Sequence, residues 1–449
     1  MNRRVSANMM LLAAVVLVIV CPPQARAQSH ADAAGVAFDV PRKTVLSGDP
    51  VAIRLTGLDP GAEVTISAER VYGRRPPALH RASARFLADR DGVVDLERAQ
   101  PVAAAWEGVD PRGLFWSMQS TEDPWPDGQS STEVHFKADA NDDGEPEAEV
   151  TVRLLRARDD LVETALGDRF PGAFLLRPPG DEPLPAIIVL GGSEGGDRTA
   201  RSRGPQLASR GYAVVGLPYY SPAYYGQTAQ FPELPAAFHN VPLDQLEAVR
   251  DWLRGRTDVV ADRIGLYGVS KGAEFVLAGA SRIDGFAAVV AYVPSDVIWE
   301  AWGRGTAEGE HSCFSWRGEP LPFVPYVGMN AEIAKYQTGE RVVLRTPHDK
   351  GRVAHAARLA AARIRVEDID EPVFVVGGDA DEVWDSGGMT RNIAARREAA
   401  GLETAAITAP DAGHGLSGNG YGPARAADAR VQGRAFPAML AFFERHLRQ

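Results

Sequence analysis

A serine framed by glycines carries the chemistry. Gly268-Val269-Ser270-Lys271-Gly272 follows the apolar stretch Arg263 to Tyr267, and Phe275, Val276 and Gly279 come after it with helical character. A serine on a tight strand-to-helix turn holds its hydroxyl above the sheet. The same turn brings backbone so close to backbone that only small residues fit two positions before and two after. The following helix directs its unpaired N–H groups at charge developing on a bound carbonyl. With 45 glycines in 449 residues the pattern also arises as an ordinary glycine-rich turn. The strand before and the helix after turn it into a nucleophile elbow.

A serine nucleophile needs a histidine base and an acid to orient it, and after such an elbow the acid precedes the histidine in the chain. Pro372 to Val376 is followed by Gly377-Gly378-Asp379-Ala380-Asp381-Glu382. Asp379, Asp381 and Glu382 are the candidate acids, and at least one belongs to a solvated loop. Asp411-Ala412-Gly413-His414-Gly415 closes a later strand. Of the nine histidines only His414 and His446 follow the acid loop, and His446 lies in the final helical stretch. His414 is the candidate base. The chemistry is acyl transfer to water through an acyl-serine.

The developing oxyanion needs two backbone donors. One is the amide of Lys271, next after the serine. The other falls in Leu190-Gly191-Gly192-Ser193-Glu194-Gly195-Gly196, on Gly192 or Ser193. That loop lacks the Gly-Lys-Ser/Thr ending of a nucleotide-binding loop.

These residues need a scaffold of alternating strands and helices. Ala186 to Leu190 and Ala213 to Leu217 are continuous apolar runs, as strands buried on both faces are. Leu243, Leu246, Val249 and Leu253 recur at helical spacing. Ala287 to Val293, Pro372 to Val376 and Thr404 to Thr408 read as strands, a helix is expected over roughly 272–281, and Phe436 to Leu447 reads as an amphipathic helix. Residues 160–449 are therefore expected to form an α/β domain around a doubly wound, mostly parallel sheet. Residues 36–158 differ. Val51, Ile53 and Leu55 alternate with polar or small residues, as do Val64, Ile66 and Ala68, and Val150, Val152 and Leu154. Turn signals such as Asp59-Pro60-Gly61 and Asp91-Gly92 separate them. This half is expected to be an all-β sandwich of immunoglobulin-like shape.

Arg3 and Arg4, an apolar run from Met9 to about Val20, and Ala25-Arg26-Ala27 predict an export leader over residues 1–27. Of the two cysteines, Cys21 falls in this leader and Cys313 has no partner, so Cys313 is expected as a packed apolar residue. The formal net charge of −11 disfavours nucleic acid as a partner. Asp139-Ala140-Asn141-Asp142-Asp143-Gly144 resembles the start of a calcium loop, but position 150, where such a loop has glutamate, is valine. His348 and His355, near a helical stretch at 352–363, lack a zinc-binding companion motif. Neither a metal nor a cofactor is expected. Trp299, Trp302, Phe314, Trp316, Phe323 and Tyr326, with Tyr219, Tyr220, Tyr224 and Tyr225, either line an acyl pocket or fill the core.

Taken together these motifs resemble the acyl-CoA thioesterases related to bile acid-CoA:amino acid N-acyltransferase. The resemblance rests on Gly268 to Gly272 with its lysine after the serine, on Leu190 to Gly196, and on Val214 to Tyr220. It rests too on Arg317 to Pro322, Gly378 to Ser386, Ala412 to His414, Leu55 to Gly61 and Gly113 to Met118. It implies an α/β-hydrolase domain behind a β-sandwich, and Asp381 rather than Asp379 as the acid. It also implies hydrolysis rather than transfer to an amino acid, because conjugating members of the family carry cysteine where this chain has Ser270. Acyl-CoA is an intracellular substrate, whereas the leader points outward, so an exported carboxylesterase acting on small oxyesters is a second expectation. A non-catalytic binding protein on the same scaffold is a third.

Overall fold

A computed structural model describes residues 35–73, 77–124, 130–223, 228–303, 306–421 and 425–449, without the side chains of 122–124. The leader expected over residues 1–27, Tyr224 and Tyr225 lie outside the described residues.

An eight-stranded sheet organises the C-terminal part. Its strands are β1 (Val162–Ala165), β2 (Phe174–Arg177), β3 (Leu184–Leu190), β4 (Ala213–Gly216), β5 (Val259–Val269), β6 (Ala288–Tyr292), β7 (Val373–Gly378) and β8 (Thr404–Ala409). They lie in the order β1-β2-β4-β3-β5-β6-β7-β8, antiparallel across the first two pairings and parallel thereafter. The central strands β3 and β6 are buried almost end to end, which is why they read as unbroken apolar runs. Helices α1 (Arg198–Ala208), α2 (Asp244–Arg254), α3 (Lys271–Ala280), α4 (Met329–Thr338), α5 (Arg345–Ala354), α6 (Ser386–Ala399) and α7 (Ala426–Arg448) accompany it. One core cluster joins Ile188 and Leu266 to Leu246 and Val276, and another joins Ile187 and Val290 to Phe436 and Phe443. The sheet is thus covered on both faces, and this is the α/β-hydrolase fold.

A small three-stranded sheet (Val241–Pro242, Phe314–Trp316, Glu319–Pro320) lies in the C-terminal part, and the strands of residues 37–155 form two further sheets. Three strands (Ala37–Asp39, Arg54–Thr56, Val94–Asp95) make one, and six strands headed by the hairpin Glu63–Tyr72 and Ala78–Leu87 make the other. Leu55 and Val94 from the first sheet share one core with Ile66, Phe86, Phe136 and Val152 from the second, which makes this half a sandwich. The two halves are joined by specific contacts. Arg112 donates to Gly433 O at 3.1 Å, Arg210 pairs with Asp49, and the Tyr421 ring packs on Phe115 with centroids 4.5 Å apart.

Some boundaries move from expectation. The helix after the serine starts at Lys271, one residue early. The helical stretch expected at 352–363 is divided between the end of the helix Arg345–Ala354, a 3-10 turn Ala356–Arg358 and a short helix Leu359–Ala362; His348 is inside the first and His355 ends it. Pro347 sits in the first turn of that helix, where a missing N–H costs nothing. The calcium-like stretch is a turn between strands. Asp139 accepts the amides of Asp142 at 2.7 Å and Gly144 at 2.9 Å, and Glu147 accepts that of Ala140 at 2.7 Å. No helix among the described residues is long and apolar enough to cross a membrane.

Candidate active site

Ser270 stands at the junction of β5 and α3 with φ 57° and ψ −120°, a left-handed conformation that a non-glycine residue adopts only under constraint. Its glycines supply that constraint. A Cβ on Gly268 would lie 2.2 Å from Gly272 O, and one on Gly272 would lie 2.2 Å from Gly191 O. Strand, turn and neighbouring loop are in direct backbone contact, and no side chain fits between them. The Ser270 amide donates to Tyr292 O of β6 at 2.9 Å, and the Ser270 carbonyl accepts the amides of Ala273 and Glu274. The serine is fastened to the sheet on one side and opens the helix on the other.

His414 Nε2 lies 2.9 Å from Ser270 Oγ, and His414 Nδ1 lies 2.7 Å from Asp381 Oδ2. The carboxylate only accepts, so Nδ1 carries the hydrogen and Nε2 presents its lone pair to the serine hydroxyl. Asp381 Oδ1 accepts the amide of Val383 at 2.8 Å and Oδ2 accepts the Ser386 hydroxyl at 2.6 Å. Burial works to raise the Asp381 pKa, but the hydrogen bond and charge of His414 and the bonds from Ser386 and Val383 outweigh it. The carboxyl therefore titrates below its ordinary range. The other two candidate acids point elsewhere, Asp379 to Arg391 at 2.8 Å and Glu382 to Arg341.

The histidine loop is held from α7. Asp428 accepts the Gly413 amide at 2.6 Å, and the Gln432 amide donates to Gly415 O at 2.6 Å, so both neighbours of His414 are clamped. The Trp384 ring stands edge-on to the imidazole with centroids 5.6 Å apart and donates its own N–H to Val293 O at 3.1 Å. Asp428, Gln432 and Ser386 carry no signal in local spacing, because each acts across a loop.

The glycine loop after β3 lies against the serine; a Cβ on Gly192 would be 3.0 Å from Ser270 Cβ. The Gly192 amide, one of the two expected alternatives for the second donor, already donates to Glu194 Oε2 at 2.9 Å, while Glu194 Oε1 accepts the Thr199 hydroxyl. Ser193 and Lys271 line the cavity above the serine. Lys271 opens α3, so its amide has no acceptor inside the helix.

The Lys271 side chain runs the other way, into the protein. Its ammonium is buried, 2.6 Å from Glu274 and 3.3 Å from Cys313 Sγ, with the Phe314 ring 4.9 Å away. Cys313, expected as a packed apolar residue, is a polar partner instead, since its thiol donates to Glu274 Oε1 at 3.3 Å. Burial pushes that thiol well above its ordinary pKa, which leaves it protonated and weakly nucleophilic.

A cavity of about 280 Å3 opens over Ser270 and His414. Its apolar wall includes Trp302, Tyr326, Met329, Ile333, Leu344 and Trp384, contributed mainly by the segment between β6 and β7. A second cavity of about 250 Å3 shares Trp302, Tyr326, Met329 and Ile333 with it. The aromatic residues thus divide. Trp302 and Tyr326 face the cavity, whereas Trp299, Phe314, Tyr219 and Tyr220 are buried core. His348, which the sequence reading considered only for zinc, also lines the cavity.

The chain matches the family described as acyl-CoA thioester hydrolase/BAAT N-terminal region over residues 48–163. It matches BAAT/acyl-CoA thioester hydrolase C terminal over residues 241–418, and the dienelactone hydrolase family over residues 172–307. It is 29% identical to rat mitochondrial acyl-coenzyme A thioesterase 2 over 396 residues, covering 82% of this chain and 76% of that protein. Mouse acyl-coenzyme A thioesterase 1 is also 29% identical over 378 residues, with 82% of each covered. Among solved structures, a putative dienelactone hydrolase from Klebsiella pneumoniae aligns over 63% of this chain and 97% of its own, with 18% identity and a TM-score of 0.39. The N-terminal and C-terminal matches fall in family order on the two halves, and the chain is a hydrolase that belongs to the acyl-CoA thioester hydrolase/BAAT family.

Proposed function

We propose that the protein hydrolyses acyl thioesters or esters through an acyl-enzyme on Ser270. The observation that carries this reading is the unbroken line of hydrogen bonds from Ser270 Oγ through the His414 ring to Asp381. His414 Nε2 takes the hydroxyl proton as Ser270 Oγ bonds to the carbonyl carbon. The negative charge that gathers on the carbonyl oxygen is received by the amides of Lys271 and Ser193, helped by the N-terminus of α3. The tetrahedral centre then collapses, the bond to the thiol or alcohol breaks, and His414 returns the proton to that leaving group. Water adds to the acyl-serine by the same route and releases the acid. Asp381 stays ionised throughout, fixes the ring tautomer and offsets the charge on the imidazolium.

The apolar cavity suits the acyl part of the substrate. The leader read in residues 1–27 supports an exported enzyme, and through it a second reading in which small oxyesters replace CoA thioesters. Assays of the full-length protein and its Ser270→Ala variant on acyl-CoAs and p-nitrophenyl esters of graded length test both. Turnover by the native protein alone supports the nucleophile, and the better leaving-group series chooses between the readings. Equal turnover by both proteins contradicts the proposal.

A further inference from the structure

His348 is almost fully buried, yet it faces the cavity over Ser270. Its ring is boxed by three aromatic side chains. The centroids of Trp299, Tyr326 and Trp384 lie 4.5, 4.8 and 5.5 Å away, each close to perpendicular. On the helix side, Nδ1 lies 2.7 Å from Leu344 O, four residues back. A carbonyl oxygen only accepts, so Nδ1 carries the ring hydrogen and Nε2 keeps a lone pair. With Nδ1 turned onto its own helix, the ring presents Nε2 on its opposite edge to the cavity. Among the described residues no protein donor meets that nitrogen, and it is not sealed away from the cavity space.

Burial lowers the His348 pKa to about 3, so the imidazole is neutral at ordinary pH and acts as an acceptor. The surrounding cavity wall is largely apolar. An unsubstituted acyl chain lying there would strip water from Nε2 and give nothing back. A buried acceptor left without a donor is costly, whereas a site that meets a substrate hydroxyl discriminates strongly against the analogue lacking it.

The geometry points to an acyl chain bearing a hydroxyl group, with His348 Nε2 as the acceptor that reads it. This rests on the reading of the cavity as the acyl site of a Ser270 hydrolase. His348 and His414 both stand edge-on to Trp384, with ring centroids 5.5 and 5.6 Å from the indole, and both line the one cavity over Ser270, so the hydroxyl is read in the same cavity as the carbonyl that Ser270 attacks.

Binding tests the assignment apart from catalysis. Medium-chain methyl ketones, in which a methyl group replaces the leaving group, are titrated calorimetrically into the full-length Ser270→Ala protein. The ligands are unsubstituted, hydroxylated at successive chain carbons, or methoxylated at the same carbons. One hydroxylated isomer is expected to bind about tenfold more tightly than both its unsubstituted and methoxylated counterparts. Adding His348→Phe should reduce that preference below about twofold. Adding His348→Gln, which keeps an acceptor oxygen on that edge, should retain part of it and covers the case in which the phenylalanine protein does not fold. No hydroxyl preference at any position, or one that survives His348→Phe, or one shared by the methoxy ligand, overturns the assignment. Selective binding without esterase or thioesterase turnover by the native protein would sink the hydrolase reading and leave this one standing. Turnover without selectivity does the reverse.

Discussion

Ser386 donates its hydroxyl to Asp381 Oδ2 at 2.6 Å, on the same oxygen that lies 2.7 Å from His414 Nδ1. The carboxylate that orients the base is itself oriented by the first residue of α6. Asp381→Asn places an amide where His414 needs an acceptor, which favours the wrong tautomer. It should lower kcat by about 10³–10⁴-fold with KM little changed. Ser386→Ala removes one neutral donor, and a fall of about tenfold in kcat is expected. Steady-state kinetics on one ester substrate separates the two effects, and equal losses from both variants would mean that Asp381 serves only to hold the loop.

The pH dependence of stability follows from the same carboxylate. The folded-state pKa of Asp381 lies below its unfolded value, with the hydrogen bonds of His414 and Ser386 overcoming burial. Such a group contributes stability that is fully present above the unfolded value, about 3.9, and is lost as pH falls through the folded one. The difference in unfolding free energy between the native protein and Asp381→Asn should be flat above about pH 5 and shrink below about pH 4. Urea titrations across that range measure it. A difference that grows toward acid would mean that burial dominates.

Gly272 has no room for a side chain, because a Cβ there meets Gly191 O at 2.2 Å and Leu190 O at 2.9 Å, both backbone atoms. Gly272→Ala must push α3 away from the loop after β3, so it should cost several kcal/mol and displace the oxyanion donors together. Gly401→Ala is a useful comparison, since that glycine has φ 74° but open space around it. It should fold normally with a small loss of stability from backbone strain. Thermal unfolding of the two variants, with activity, checks the contrast.

Lys271 presents its amide at the start of α3, beside Ser270, and its side chain forms a buried pair with Glu274. Lys271→Met leaves that carboxylate buried without its cation, and the expected destabilisation is about 3–5 kcal/mol. Lys271→Met with Glu274→Gln should recover much of it, because the glutamine still accepts from the Trp299 amide, which Glu274 Oε1 holds at 3.0 Å. Denaturant midpoints of the two proteins test the pair, and no recovery in the double variant would show that the charges stabilise the helix by some other route.

The parts of this molecule written in local patterns are the parts that reading the chain recovers. Apolar runs buried on both faces announce β3, β4 and β6, and Gly268 to Gly272 announces the elbow because the backbone contacts themselves demand glycine. The chain order of such a site places the acid among Asp379, Asp381 and Glu382 and the base at His414, and only the family resemblance singles out Asp381. What local spacing does not record is the supporting contact made across the fold. Asp428 reaches Gly413, Glu194 turns back on Gly192, and Cys313 meets Lys271 from 42 residues away. A lone histidine on a helix has no motif, so spacing weighs His348 only as a zinc ligand and gives it no place in the cavity. Its meaning comes from three aromatic neighbours brought in by other segments.

The central claim is that Ser270 Oγ bonds covalently to the acyl group during turnover. Rapid acid quench of the full-length protein with a p-nitrophenyl ester, followed by mass spectrometry of the digested chain, tests it directly. An acyl mass increment is expected on the peptide that contains Ser270, and none with Ser270→Ala. Hydrolysis that continues in the variant, or an increment that maps to another residue, would contradict it.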